Sequence, residues 1–92
     1  MSDEVIRRKV TSHGRVQGVF FRDSARERAR THGVAGWIRN TPDGAVEAIL
    51  EGPPDAVDCV TRFLKAGPPD AEVERTEVDD ERPEGLSGFE VR

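Results

Sequence analysis

Several residue types are scarce in this sequence of 92 residues, and each scarcity excludes a class of protein. A lone cysteine, Cys59, excludes an internal disulfide and a cysteine-rich zinc site. No apolar run approaches the roughly 18 residues of a membrane span. The opening residues, MSDEVIRRKV, also lack the apolar core of a signal peptide. These absences predict a cytoplasmic protein that does not enter a membrane.

Aromatic residues make up only 5% of the chain, and 18 Asp and Glu outnumber 14 Lys and Arg. An RNA-recognition sheet needs exposed aromatic residues on a basic face, so this composition argues against a nucleic-acid partner. Hydrophobic and charged residues each contribute 35%. This balance predicts a single domain over residues 1–92 with one modest core and a shallow polar site, and residues 1–5 are expected to be flexible.

The charges are distributed unevenly along the chain. Residues 1–40 contain nine Lys and Arg but four Asp and Glu, whereas residues 41–92 contain five and fourteen. A basic first part favours the binding of a small anion. A solvated helix face carrying Arg26, Arg28 and Arg30 explains the same excess equally well.

Hydrophobic periodicity and turn residues predict a series of short strands and two helices. The first strand covers Arg7–His13 and ends at the following glycine, and the first helix runs from Arg22 to a left-handed Gly33. VAGWIRN and GAVEAILEG are expected to form a hairpin, a second helix lies between two GPPDA segments, and strands follow at Glu72–Asp79 and GFEVR. This order predicts an α+β, ferredoxin-like βαββαβ sandwich, with two helices on one face of an antiparallel sheet and a short extra C-terminal strand.

The segment GRVQGVFFR, residues 14–22, joins the first strand to the first helix. Its glycines allow successive backbone N–H groups to point inward, and the start of a helix adds further unpaired donors. Arg22 would bring a permanently charged guanidinium that matches phosphate or carboxylate geometry. The loop and the arginine together predict an anion-binding site.

The common phosphate-handling motifs do not fit this segment. A Walker loop needs Gly-Lys-Ser/Thr after its glycines, and a cysteine phosphatase needs a thiolate inside the loop, which contains no cysteine. His13 and His32 lack the spaced partners of a metal site or a catalytic triad. The residues themselves therefore predict neither a metal, nor a cofactor, nor a phosphorylated cysteine.

The runs GRVQGVFFR and GWIRNTPDGAVE resemble the two signatures of the acylphosphatases, and GPPDAEVERTEV and GFEVR resemble later segments of that family. The resemblance implies hydrolysis of a carboxyl–phosphate anhydride to a carboxylate and inorganic phosphate. Water would attack in line, with no metal and no covalent intermediate. It implies that Arg22 clamps the phosphoryl group and that Asn40 positions the water. It also implies a phosphate-binding loop, mainly of backbone donors, that consists of Gly14, Arg15, Val16, Gln17, Gly18 and Val19.

The expected partner is a small-molecule acyl phosphate, with phosphate or sulfate as a competing anion and a monomer as the acting form. A non-catalytic anion-binding module on the same fold is the alternative, and it would have no use for Asn40. Two positions depart from the family's pattern. Ser12 stands where an apolar strand residue is expected, and His32 where the family often has an apolar helix residue.

Overall fold

The computed structural model describes residues 4–92, so residues 1–3 of the segment predicted to be flexible lie outside the described part. Glu4 and Val5 are exposed. Seven elements follow along the chain, in the order β1 (Ile6–Arg15), α1 (Phe21–His32), β2 (Ala35–Asn40), β3 (Val46–Gly52), α2 (Pro54–Ala66), β4 (Glu72–Glu81) and β5 (Phe89–Val91).

The strands form one sheet in the order β4-β1-β3-β2-β5. The four long strands pair antiparallel, which confirms the predicted ferredoxin-like arrangement. The short β5 instead pairs parallel with β2, from Gly36 opposite Phe89 to Ile38 opposite Val91. Residues 82–88 cross from the β4 edge to the opposite edge of the sheet at the end where β4 finishes. The chain therefore enters β5 in the direction opposite to β4, which is the direction of β2.

The first strand is longer than predicted, because it continues beyond His13 through Gly14 and Arg15. Both residues pair with β4 after a bulge between His13 and Gly14. Gly14 has φ 126°, and a Cβ there would lie 2.2 Å from the backbone oxygen of Glu72. The predicted strand end at His13 is therefore wrong, since this glycine permits close approach of two strands and does not end β1.

The core lies between the sheet and the two helices. Helix α1 buries Phe21, Ala25 and Ala29, the face that the sequence predicts. The rings of Phe21 and Phe63 lie 6.2 Å apart and join α1 to α2. The predicted left-handed Gly33 ends α1 with φ 70°, and its N–H donates to backbone carbonyls of the last turn.

Ser12 is only 1% exposed although it is polar. Its hydroxyl donates to the backbone carbonyl of Leu64 at 2.7 Å. Leu64 lies in the last turn of α2, where backbone carbonyls lack partners within the helix. The serine that departs from the expected apolar pattern therefore fastens the end of α2 to β1.

Candidate functional site

The segment 16–20 turns sharply between β1 and α1. Gly18 has φ 74°, and Phe20 has φ 60° and ψ 24°, so both are left-handed. This conformation costs a non-glycine residue roughly 1–2 kcal/mol. Phe20 is also the N-cap of α1 and provides no side-chain hydrogen bond to the first turn. The first backbone N–H groups of the helix therefore have no cap from this side chain and are available to an anion.

A cavity of about 270 Å³ lies where this segment meets the end of β2. It brings together Gly18, Arg22 and Asn40, which come from the loop, from α1 and from β2. The complete lining consists of Val16, Gly18, Phe20, Phe21, Arg22, Asp23 and Asn40. The cavity thus joins both predicted catalytic residues to part of the predicted phosphate loop.

Asn40 ends β2 and pairs with Val46 of β3. Its Oδ1 atom is a buried acceptor that has no hydrogen-bond donor among the residues described by the structure. Leaving such an acceptor unpaired costs about 1–3 kcal/mol, and buried polar atoms nearly always have a partner. Asn40 lines the cavity, so its carboxamide oxygen, which lacks a protein donor, is suited to accept a hydrogen bond from water or from a ligand.

Gln17 ties the loop to the turn that follows Asn40. Its Nε2 donates to the backbone carbonyls of Thr41 and Ala45, each at 2.9 Å. The turn is closed by a hydrogen bond from the Thr41 N–H to the Ala45 carbonyl at 2.9 Å and by one from the Ala45 N–H to Oγ1 of Thr41 at 3.0 Å. The Thr41 hydroxyl also donates to Asp43 and lowers the pKa of that carboxyl group. These hydrogen bonds thus fix the position of the loop relative to the turn that follows Asn40.

Arg22 makes a contact that sequence reasoning missed. Its Nη1 donates to the backbone oxygen of Arg92 at 3.0 Å. Arg92 is held in turn by β2, because its N–H donates to Ile38 at 2.8 Å and its guanidinium lies 4.8 Å from the ring centre of Trp37. The sequence does not predict this contact, because any residue can offer a backbone oxygen as the acceptor.

Asp23 also lines the cavity and was not predicted. Its carboxylate opposes a bound anion, but Arg26 lies 3.7 Å away and offsets part of its charge. The only signal in the sequence was its position next to Arg22. Among the basic residues of α1, Arg28 packs over the Phe63 ring and Arg30 is exposed, so the basic excess has several uses and only Arg22 reaches the cavity.

Four residues of the predicted phosphate loop are not among those lining the cavity. Gly14 and Arg15 belong to β1 and face their partners on β4. Val19 is half-buried against the core, and Gln17 is directed to the turn after Asn40. The residues of the loop that reach the cavity are therefore Val16, Gly18 and the unpredicted Phe20.

Within residues 4–92, no group of three or more His, Cys, Asp or Glu side chains is arranged to hold a metal ion. Neither of the two helices in this part of the chain is long and apolar enough to cross a membrane.

Comparison with known proteins decides the family. The acylphosphatase family model matches residues 8–91. The chain belongs to the acylphosphatase family. An acylphosphatase from Rubrobacter xylanophilus is 58% identical over 85 residues, which cover 91% of this chain and 77% of the relative.

Solved structures of the acylphosphatase family share the fold over at least 95% of the chain. The acylphosphatase from Coxiella burnetii superposes with a TM-score of 0.92 at 36% identity and covers 100% of both chains. The acylphosphatase from Bacillus subtilis gives a TM-score of 0.90 at 34% identity and covers 95% of this chain and 98% of its own. The resemblance carried by the two sequence signatures is thus confirmed.

Proposed function

We propose that this acylphosphatase hydrolyses acyl phosphates by direct in-line attack of a water molecule positioned by Asn40. Arg22 and the backbone of residues 16–20 bind the phosphoryl group. One observation carries the proposal: Asn40, whose buried Oδ1 has no protein donor in the described chain, lines the same cavity as Arg22.

The chemistry of the substrate makes this short set of groups sufficient. A carboxylic acid has a pKa of about 4, so the leaving carboxylate departs as its anion at neutral pH without a general acid. Phosphoryl transfer then depends mainly on positioning and on countering charge on the equatorial oxygens. Backbone N–H groups and a guanidinium supply both, and the reaction needs no metal or covalent intermediate.

Asn40 has a limited role in this mechanism. A neutral carboxamide oxygen accepts a hydrogen bond from water and directs its lone pair toward phosphorus. It cannot remove the proton, which passes to an oxygen of the substrate. Gln17 contributes indirectly, because its two hydrogen bonds hold the loop against the turn that follows Asn40.

Arg22, Asn40 and residues 16–20 of one chain supply every group that the mechanism uses, so it requires no second copy. We propose that the protein acts as a monomer, and further that it acts in the cytoplasm on a free small molecule without a nucleic-acid or membrane partner. Phosphate and sulfate, which match the tetrahedral shape of the phosphoryl group, compete for the site. Light scattering checks the oligomeric state, and inhibition of turnover by either anion checks the competition.

The proposed roles are tested by two substitutions and one control. Asn40→Ala is expected to lower kcat on the order of a hundredfold or more, because it removes a contact made in the transition state. Inhibition by phosphate is retained in this variant. Arg22→Ala loses both turnover and phosphate inhibition. Arg30→Ala, an exposed arginine on the same helix, retains both.

Two outcomes contradict the proposal. Normal turnover of benzoyl phosphate by Asn40→Ala would remove the water-positioning role. Loss of turnover in the presence of a chelator would contradict the metal-free mechanism. The alternative, a non-catalytic anion-binding module, predicts phosphate binding without any turnover of benzoyl phosphate by the native protein.

A further inference from the structure

The fold does not explain the conformation and exposure of Phe20. Its side chain is 76% exposed, more than any other large hydrophobic residue in the described part of the chain. Among the non-glycine residues of positions 4–92, it alone has a positive φ. The neighbouring Phe21 is 2% exposed and packs near Phe63. The core therefore uses the second phenylalanine of the pair and leaves the first in solvent.

The helix start does not require a phenylalanine either. Phe20 is the N-cap of α1 and makes no side-chain hydrogen bond there. Asn, Asp, Ser and Gly are favoured at this position, and Gly or Asn adopts the left-handed conformation with less strain. A phenylalanine here opposes both backbone preference and burial of apolar surface. A residue that opposes local preferences near a candidate site indicates a functional role and not a structural one.

Phe20 lines the cavity that contains Arg22 and Asn40. Because most of its side chain is exposed, the ring forms part of the rim of this cavity. In the proposed mechanism Arg22 and the loop backbone bind the phosphoryl end of the substrate, and Asn40 positions the attacking water. The acyl group, which is bonded to that end, then extends toward the rim.

A phenylalanine ring discriminates between acyl groups by their apolar area. It donates and accepts no conventional hydrogen bond, so it adds little binding free energy for a small acetyl group. A benzoyl group offers a second ring, and offset or edge-to-face ring pairs add attraction beyond simple burial. The residue at the rim therefore favours acyl groups that are neutral, flat and apolar.

We propose that Phe20 is a specificity-determining residue that binds the acyl part of aromatic and bulky apolar acyl phosphates. The inference rests on the proposed function, because it uses Arg22 and the loop backbone to orient the phosphoryl group of the substrate. The inference adds to that function a preferred class of acyl group, which the phosphoryl-binding residues alone cannot select.

The test compares kcat/KM for benzoyl phosphate with that for acetyl phosphate. Phe20→Asn keeps a residue that tolerates the left-handed conformation and removes the ring. We expect the ratio of the two kcat/KM values to fall roughly three- to tenfold in this variant. Phe20→Tyr retains the ring and keeps the ratio within about twofold of native. The inhibition constant for phosphate is expected to be unchanged in Phe20→Tyr and in Phe20→Gly, because neither adds a side chain that caps the first N–H groups of α1.

Two controls separate acyl recognition from general damage. Val78→Thr alters another exposed apolar residue, on β4, and is expected to leave the ratio unchanged. Phe20→Gly replaces the side chain with the residue that best accepts a positive φ, so it provides a folded variant without a ring if Phe20→Asn is unstable. Thermal unfolding of each variant establishes that it is folded.

An unchanged ratio in Phe20→Asn and Phe20→Gly would overturn the proposal. Equal losses on both substrates would also overturn it, because they would assign Phe20 to the shape of the loop. The proposed mechanism is tested separately by Asn40→Ala, which is expected to lower turnover of benzoyl and acetyl phosphate together; normal turnover of both would contradict the mechanism. The ratio measured in the Phe20 variants remains interpretable whichever way that experiment turns out.

Discussion

Two places in this molecule combine one guanidinium with the backbone N–H groups of a loop, and they differ in where the anion comes from. At the first, Arg7 donates to the carboxylate of Glu51 at 2.7 Å. The same carboxylate accepts from the backbone N–H groups of residues 84–86 at 3.0, 3.0 and 3.1 Å. At the second, Arg22 lies beside the loop 16–20 and the start of α1.

The first place is occupied by the protein's own carboxylate. Glu51 is 3% exposed, and burial alone would raise its pKa, but the hydrogen bonds from Arg7 and from the three N–H groups outweigh burial and lower the pKa. The second place holds no carboxylate of its own with comparable contacts, since Asp23 is directed to Arg26. An internal anion makes such a site a structural anchor, whereas an open site is available to substrate.

The comparison predicts that loss of one arginine lowers stability, whereas loss of the other lowers turnover. Arg7→Met leaves Glu51 buried without its strongest partner, so we expect the free energy of unfolding to fall by about 3–5 kcal/mol. Arg22→Met leaves no buried anion unpaired and is expected to change stability far less, while it abolishes turnover. Urea unfolding and benzoyl phosphate hydrolysis measure the two effects.

The controls for this pair are simple. Arg30→Met, an exposed arginine on α1 that does not line the cavity, is expected to preserve both stability and turnover. If Arg7→Met were as stable as native, the contrast between an anchor and an open site would be lost.

A ligand added from solution is expected to stabilise only the open site. Phosphate at a hundred times its dissociation constant should raise the free energy of unfolding by about 2.7 kcal/mol in the native protein. This stabilisation is absent from Arg22→Ala. Thermal unfolding in phosphate and in chloride at equal ionic strength separates specific binding from screening. Equal stabilisation of native protein and Arg22→Ala would place phosphate elsewhere.

The sequence indicated the fold and the open site much better than it indicated the anchor. Alternation and helix caps depend on residues close together in sequence, so the order of elements was accessible. Arg22 and Asn40 were reached through the resemblance of GRVQGVFFR and GWIRNTPDGAVE to the family's two signatures, and both line the cavity. Glu51 and residues 84–86 are separated by more than thirty positions and meet only through the crossing to β5. No local pattern reports such a contact.

Two local details also escaped prediction, for physical reasons. Gly14 reads as a strand terminator, but it lies in a bulge where only the register with β4 reveals its role. Phe20 has a residue type that disfavours its left-handed conformation, so propensity points away from the observed structure. Sites where function opposes local preference are the places where sequence reasoning is expected to fail.

The anchor is expected to make stability depend on acid pH. The pKa of Glu51 lies below its ordinary value of 4.5 in the folded protein, so its stabilising contribution is complete above about pH 4.5 and is lost as the pH falls through the lower, folded value. Glu51→Gln removes this dependence and lowers stability at pH 7 by about 2 kcal/mol, because charged hydrogen bonds are lost. Urea unfolding from pH 7 downward measures both changes.

A matched control for this pH prediction is Glu74→Gln, which alters an exposed carboxylate on β4. Its stability curve is expected to follow that of the native protein. If Glu51→Gln followed the native curve as well, the Glu51 carboxylate would not be the group that responds to acid.

The smallest expected change in stability compares two glycines with the same backbone conformation. Gly18 has φ 74° and Gly33 has φ 70°, and a Cβ at either position would meet no heavy atom within 4 Å beyond the adjacent residues of the chain. Alanine at each is therefore expected to cost only about 1 kcal/mol of backbone strain. Their effects on turnover differ, because Gly18 lines the open site and Gly33 ends α1. Gly18→Ala should raise the inhibition constant of phosphate and lower kcat/KM, whereas Gly33→Ala should change neither. Equal turnover in the two variants would show that the loop backbone at Gly18 does not contact the phosphoryl group.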